Sequence, residues 1–124
     1  MSRKSKAKII IVDDDEGARA SLRLLLETME FAVEDFDSAE AHLSALPGEA
    51  PDCLILDHHL SGMSGLDLLV QLRQHGITAP TIIITGNAKD VEARARRSGV
   101  IAVLRKPDVA DALARLLDQL FPGH

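Results

Sequence analysis

The sequence predicts an α/β fold built on a parallel sheet. Three observations carry that prediction. Short unbroken apolar runs recur at Ile9–Val12, Cys53–Leu56 and Ile82–Ile84, the signature of strands buried on both faces. Helical periodicity or a helix start signal follows each run. Strand and helix patterns alternate five times along 124 residues, with no repeat, linker or low-complexity segment. Parallel strands with right-handed crossovers are the expected arrangement. The pattern alone leaves the strand order open.

In chain order, residues 8–12 form the first strand and run into Asp13-Asp14-Asp15-Glu16. Ala18, Leu22, Leu25, Leu26 and Met29 then share one helical stripe. Phe31 to Phe36 alternates in part and reads as a strand nearer an edge. Asp37 or Ser38 can cap a second helix with Ala39, Leu43 and Leu46 inward, ended by Pro47-Gly48. The third strand stops at Asp57. After a loop with Ser61, Gly62, Ser64 and Gly65, Leu66 to Gln74 reads as a helix with Gly76 beyond its end. Pro80 opens the fourth strand, which closes in Thr85-Gly86-Asn87. Asp90 to Arg97 is the weakest helix, alanine and arginine with little apolar stripe, stopped at Gly99. Val100 to Leu104 is the last strand, closing in Arg105-Lys106-Pro107. The final helix presents Val109, Leu113, Leu116, Leu117 and Leu120 on one face.

The length fits one domain, residues 8–121, with a basic tail at 1–7 and a short tail at 122–124. The core must be aliphatic, since there is no Trp or Tyr and only three Phe. A net charge of −5 argues against a general nucleic-acid binder, which needs a basic face for phosphates. A single cysteine excludes an internal disulfide, and Cys53 within an apolar run reads as an inert core thiol. No run is long enough to span a membrane, and no signal peptide is evident. The expected location is the cytoplasm.

The chemistry collects at strand ends. The first ends in Asp13-Asp14, the third in Asp57, the fourth in Thr85 and the fifth in Lys106. Parallel strands bring these ends to one edge of the sheet, where open α/β sheets bind ligands. Clustered carboxylates repel unless a cation joins them, and Mg²⁺ prefers oxygen ligands and needs only one or two carboxylates. Lys106 adds positive charge and Thr85 a hydroxyl donor. That set suits phosphoryl transfer with Asp57 as nucleophile. Taken singly, each group has a plainer reading: Asp14 or Asp15 as a helix cap, Thr85 as a turn residue, Lys106 as a solvated lysine. Adjacent His58 and His59 would point apart on an extended chain, which disfavours a histidine metal site. Neither a GxSxG elbow nor a GxxxxGK[ST] loop is present.

Ile-Val-Asp13-Asp14, Leu-Ile-Leu-Asp57 with Gly65 eight residues on, Ile-Ile-Thr85-Gly86 and Lys106-Pro107, in this order and spacing, resemble the receiver domain of two-component response regulators. The resemblance covers about Lys8 to Leu120. It implies a single doubly wound five-stranded sheet in the order 2-1-3-4-5 with five helices, the flavodoxin-like arrangement. It implies that Asp57 accepts a phosphoryl group from a histidine kinase or phosphotransfer protein. Asp14, Asp57 and the backbone carbonyl of His59 would bind Mg²⁺ directly, and Asp13 through water. Thr85 would turn toward the phosphoryl group and Lys106 would pair with it. The Lys106-Pro107 bond would be cis. Hydrolysis would end the signal, and apart from its own phosphorylation and dephosphorylation the chain would not be an enzyme. His59 and Asn87 would flank the attacking water and set its rate.

Four positions depart from the family pattern. Val103 stands where an aromatic residue is usual, so a ring cannot follow Thr85 inward. The interval from Thr85 to Gly99 is about one residue short, which predicts a short or shifted fourth helix. Ser61 replaces a common Pro, which predicts a looser phosphorylation loop, and Glu30 replaces a common Gly, which predicts a local turn change. The implied partners are a kinase or phosphotransfer protein and a downstream output protein or domain. A homodimer through the fourth helix, fifth strand and fifth helix is a family-level expectation that Arg94, Arg96, Arg97 and Arg105 could serve. No DNA-binding element follows the last helix, so no nucleic-acid contact is expected of this chain. A pseudo-receiver with phosphate-independent output is the alternative. A haloacid dehalogenase-type phosphatase fits poorly, since its nucleophile follows the first strand in a DxD pattern.

Overall fold

The computed structural model describes residues 6–87, 89, 91–106 and 109–123. In chain order it comprises β1 (Lys8–Val12), α1 (Glu16–Thr28), β2 (Ala32–Phe36), α2 (Ala39–Ser44), β3 (Cys53–Asp57), α3 (Gly65–Gln74), β4 (Thr81–Thr85), α4 (Glu92–Arg97), β5 (Ala102–Arg105) and α5 (Val109–Leu120). The five strands form one sheet in the order β2-β1-β3-β4-β5. Every pairing is parallel, with Ile9 opposite Cys53, Ile55 opposite Ile82 and Thr85 opposite Arg105. β2 lies at an edge, as its partial alternation predicts.

Two-residue periodicity divides the aliphatic runs between two cores. Ile10, Val12, Leu54, Leu56 and Ile83 pack with Ala39 of α2, Leu66, Leu69 and Leu72 of α3 and Ala95 of α4. Ile9, Ile11, Cys53, Ile55, Ile82 and Ile84 pack on the other face with Leu26 of α1 and Val109, Leu113 and Leu117 of α5. Each fully buried aliphatic side chain contributes roughly 1.5–3 kcal/mol by leaving water. Cys53 is fully buried within this second core, and burial pushes its thiol up to about 12.

The helix starts follow the expected chemistry. Asp15 caps α1 by accepting the Ala18 N–H at 2.8 Å, and Ser38 caps α2 through the Ala41 N–H at 3.0 Å. Ser64 caps α3 at 3.0 Å. Asp14 is thereby left for other work. Gly76 and Gly99 end α3 and α4 with φ of 82° and 77°, which glycine adopts without strain. Glu30 holds φ of 69° between α1 and β2, so this turn would suit the glycine usual there. α4 is short as expected and has no side-chain cap. β5 starts at Ala102 rather than at Val100. The cis bond among the described residues is Leu46–Pro47; the expected Lys106–Pro107 bond lies outside them.

His42 is an inward residue that the predicted α2 face omitted. It is 1% exposed, stacks on Phe36 with ring centroids 4.8 Å apart, and neither ring nitrogen has a hydrogen-bond partner among the described residues. Burial is the main reason its pKa falls; Lys8 adds to that, and Glu34 opposes it. The unfolded chain therefore protonates this ring first as pH falls through about 6.5, and the fold loses stability there. Unfolding free energies of wild type minus His42→Leu, measured from pH 7.5 to 5, should decline steadily. A flat difference would refute the assignment.

Candidate functional site

The carboxyl ends of the strands converge as the topology requires. Asp57 is the last residue of β3 and only 3% exposed. Asp13 follows β1 at 1% exposure, while Asp14 faces solvent. One carboxylate oxygen from each of Asp13, Asp14 and Asp57 lies within 4.8 Å of the others. Lys106, just past β5, places Nζ 2.8 Å from Asp57 Oδ2. Thr85 closes β4 and is fully buried. Asp13, Asp14, Asp57 and Lys106 thus meet at one site, with Thr85 at the end of the neighbouring strand.

Local bonding holds them. The His59 N–H donates to Asp57 Oδ1 at 3.0 Å, and the Asp15 N–H to Asp13 Oδ1 at 2.9 Å. Arg19 donates to the Asp13 carbonyl at 2.8 Å and also pairs with Asp35, as does Arg23, tying α1 to β2 behind the site. Ser61, the residue in place of a common Pro, donates to Asp14 Oδ2 at 3.1 Å. Thr85 Oγ1 accepts the Asn87 N–H at 3.1 Å and lies 3.4 Å from His59 Nε2.

The electrostatics are unbalanced. Asp13 Oδ2 is buried with no hydrogen-bond partner among the described residues. Burial is the chief reason that the Asp13 carboxyl rises from 3.8 to about 6; the neighbouring Asp57 adds to it, while the Asp15 N–H and Lys106 oppose it. A proton on Asp13 would be shared with Asp57, which also favours the neutral form. Burial lowers the Lys106 ammonium, but Asp57, Asp13 and Asp15 outweigh it and the net shift is upward. A cluster of oxygen donors with one orphaned carboxylate oxygen fits a hard divalent cation.

His58 and His59 correct one expectation. The chain bends at His58, so the two rings do not point apart; their centroids lie 5.1 Å apart, edge to face. Nor do they join the carboxylates: among the described residues, the grouping able to hold a metal is the three aspartates. Burial, followed by His59 and Arg94, lowers the His58 pKa against Asp57 and Asp67. The sequence held no signal for this contact beyond the adjacency of the two residues.

The model of the response regulator receiver domain matches residues 9–118. The chain belongs to that family. This receiver domain is 33% identical over 115 residues to the transcriptional regulatory protein FixJ of Bradyrhizobium diazoefficiens, covering 92% of this chain and 56% of that protein. It is 35% identical to the sensory/regulatory protein RpfC of Xanthomonas campestris pv. campestris, across 96% of this chain and 17% of the relative. The chain thus spans about half of one curated relative and a sixth of the other. Among solved structures, a CheY-like receiver domain from Methylobacillus flagellatus superposes with a TM-score of 0.85 at 26% identity, covering 94% of this chain and all of that one. Among the described residues, no helix is long and apolar enough to cross a membrane.

Proposed function

We propose that this receiver is a signalling switch that takes a phosphoryl group on Asp57 in a Mg²⁺-dependent reaction. The observation that carries the proposal is the setting of Asp57, a nearly buried carboxylate between the Lys106 ammonium and two further aspartates. An Asp57 oxygen attacks phosphorus, a P–O bond forms, and the P–N bond to the donor histidine breaks as its imidazole takes up a proton. Asp14, Asp57 and the His59 carbonyl would hold the ion directly and Asp13 through water. Bound there, Mg²⁺ would neutralise charge on the carboxylates and the phosphoryl oxygens. Lys106 pairs with one phosphoryl oxygen, and the Thr85 hydroxyl turns to another. Water later cleaves the acyl phosphate along a path flanked by His59 and Asn87.

This chemistry makes the chain a substrate and timer rather than an enzyme acting on others. Its donor would be a histidine kinase or phosphotransfer protein in the cytoplasm, and its acceptor an output protein or domain. The arginines of α4 with Arg105 could join two copies through α4, β5 and α5. Val103 is the observation that favours a pseudo-receiver instead, since it lacks the ring usual at that position. The complete set of Asp13, Asp14, Asp57, Thr85 and Lys106 supports the switch.

Intact mass after incubation with Mg²⁺ and a small acyl-phosphate donor is the test. One added phosphoryl group is expected, absent without Mg²⁺ and absent in Asp57→Asn. No added mass on folded protein with an active donor would overturn the proposal.

A further inference from the structure

We propose that the His59 side chain tethers Thr85 in its present position, and that the His58–His59 pair carries the release of Thr85 to α4. The inference deepens the reading of Asp57 as phosphoacceptor and rests on it.

Thr85 is fully buried, and its hydroxyl is engaged by His59 and Asn87. The oxygen accepts the Asn87 N–H at 3.1 Å and lies 3.4 Å from His59 Nε2. Lys106 Nζ meanwhile lies 2.8 Å from Asp57. For the hydroxyl to reach a phosphoryl oxygen on Asp57, it must give up the imidazole. At 3.4 Å the contact is at the long end for a hydrogen bond and can be given up readily. The His59 ring is exposed, so its freed end has room to move.

The neighbour that limits that movement is His58, edge-on at 5.1 Å. His58 is half-buried, and its Nδ1 is buried with no hydrogen-bond partner among the described residues. At that end of the ring, packing rather than bonding sets its position. The His58 carbonyl accepts the Gly65 N–H at 3.0 Å, which fixes it against the start of α3, two residues before Asp67. Asp67 and Arg94 form an ion pair at 2.5 Å that joins the first turn of α3 to α4. α4 itself is lightly held, with six residues, no side-chain cap, and Ala95 as its buried residue. A shift of His58 would thus bear on the joint between α3 and α4. The route needs no ring at position 103, where Val103 packs against the core as a partly buried aliphatic residue.

The test compares amide spectra of the full chain with and without Mg²⁺ and beryllofluoride, a phosphoryl analogue, in wild type, His59→Ala, His59→Gln and His58→Ala. The fluorine signal of the bound analogue reports loading separately. In wild type the analogue should move the resonances of Thr85, Arg94 and Ala95. His59→Ala should show Thr85 displaced before loading and, in the loaded fraction that the fluorine signal reports, leave Arg94 and Ala95 unmoved. His59→Gln, which keeps a polar group for the hydroxyl, should restore the unloaded Thr85 resonance. His58→Ala should load and move Thr85 without moving α4. Shifts of wild-type size at Arg94 and Ala95 in both alanine variants would overturn the relay. Loss of loading in His59→Ala would also overturn it, by assigning that side chain to the phosphoryl site itself. Failure of wild type to load would instead remove the phosphoacceptor reading, and the relay with it.

Discussion

Asp13→Asn should stabilise the metal-free protein near neutral pH by about 2–3 kcal/mol, although it removes a charge from the functional site. The reason lies in the burial of that carboxylate. Its folded-state pKa of about 6 stands above the ordinary 3.8, chiefly because burial penalises the charged form, with Asp57 adding repulsion. A carboxyl whose pKa is raised by folding favours the fold fully below about 3.8. That contribution is lost as pH rises through about 6. At pH 7 and above the fold carries an ionised carboxylate whose buried Oδ2 has no hydrogen-bond donor among the described residues, and Lys106 offsets only part of that cost. An asparagine keeps an oxygen for the Asp15 N–H, which Oδ1 now accepts at 2.9 Å, and removes the charge.

Two further measurements separate this cause from a generic surface effect. Unfolding free energies of Asp13→Asn minus wild type should shrink toward zero as pH falls from 7.5 to 4, where the native carboxyl is neutral too. Millimolar Mg²⁺ should stabilise wild type more than the variant, because a ligand that binds only the folded state raises its stability by mass action. A gain independent of both pH and Mg²⁺ would show that the carboxylate is not the source. Function and stability oppose each other at this carboxylate: the group that would draw a cation costs the fold part of its stability.

How much of this is legible in the residues follows from burial. Ile9–Val12 and Cys53–Leu56 admit one interpretation, since strands buried on both faces leave no polar position to blur their ends. The site is legible for the same reason, because Asp13, Asp57 and Thr85 interrupt apolar runs where a parallel sheet must end them. β5 reads two residues early because it is an edge strand, half-buried and ending in an exposed Arg105, without a sharp change in polarity. α4 resists close placement, since alanine and arginine favour a helix without marking a face. His42 lies three residues after Ala39, where helical spacing points inward and only residue type argues against it. The Arg19 and Arg23 clamp on Asp35 joins elements through exposed-looking charges, which sequence spacing does not pair. The His58–His59 contact depends on a bend after β3, which the expectation of an extended chain hides.

Gly65→Ala should cost about 1–3 kcal/mol and disturb the site directly, the range expected when atoms are forced into close-packed surroundings. A Cβ at Gly65 would lie 2.5 Å from the Asp57 carbonyl oxygen, 3.1 Å from its carbonyl carbon and 3.2 Å from His58 Cα. All three are backbone atoms, so no side chain can rotate away. The close approach is made by the chain itself: the Gly65 N–H donates to the His58 carbonyl at 3.0 Å, drawing the start of α3 against the end of β3. A methyl group must push these segments apart. The first atoms to move belong to Asp57 and His58, the residues that aim the central carboxylate. The same strain should therefore appear twice, as a lower denaturation midpoint and as weaker Mg²⁺ affinity at temperatures where the variant is fully folded. Gly76→Ala is the internal control, because a Cβ there meets nothing within 4 Å. Its left-handed φ of 82° should cost stability, yet leave Mg²⁺ affinity unchanged. Equal Mg²⁺ affinity in Gly65→Ala and wild type would show that α3 can retreat without carrying the site with it.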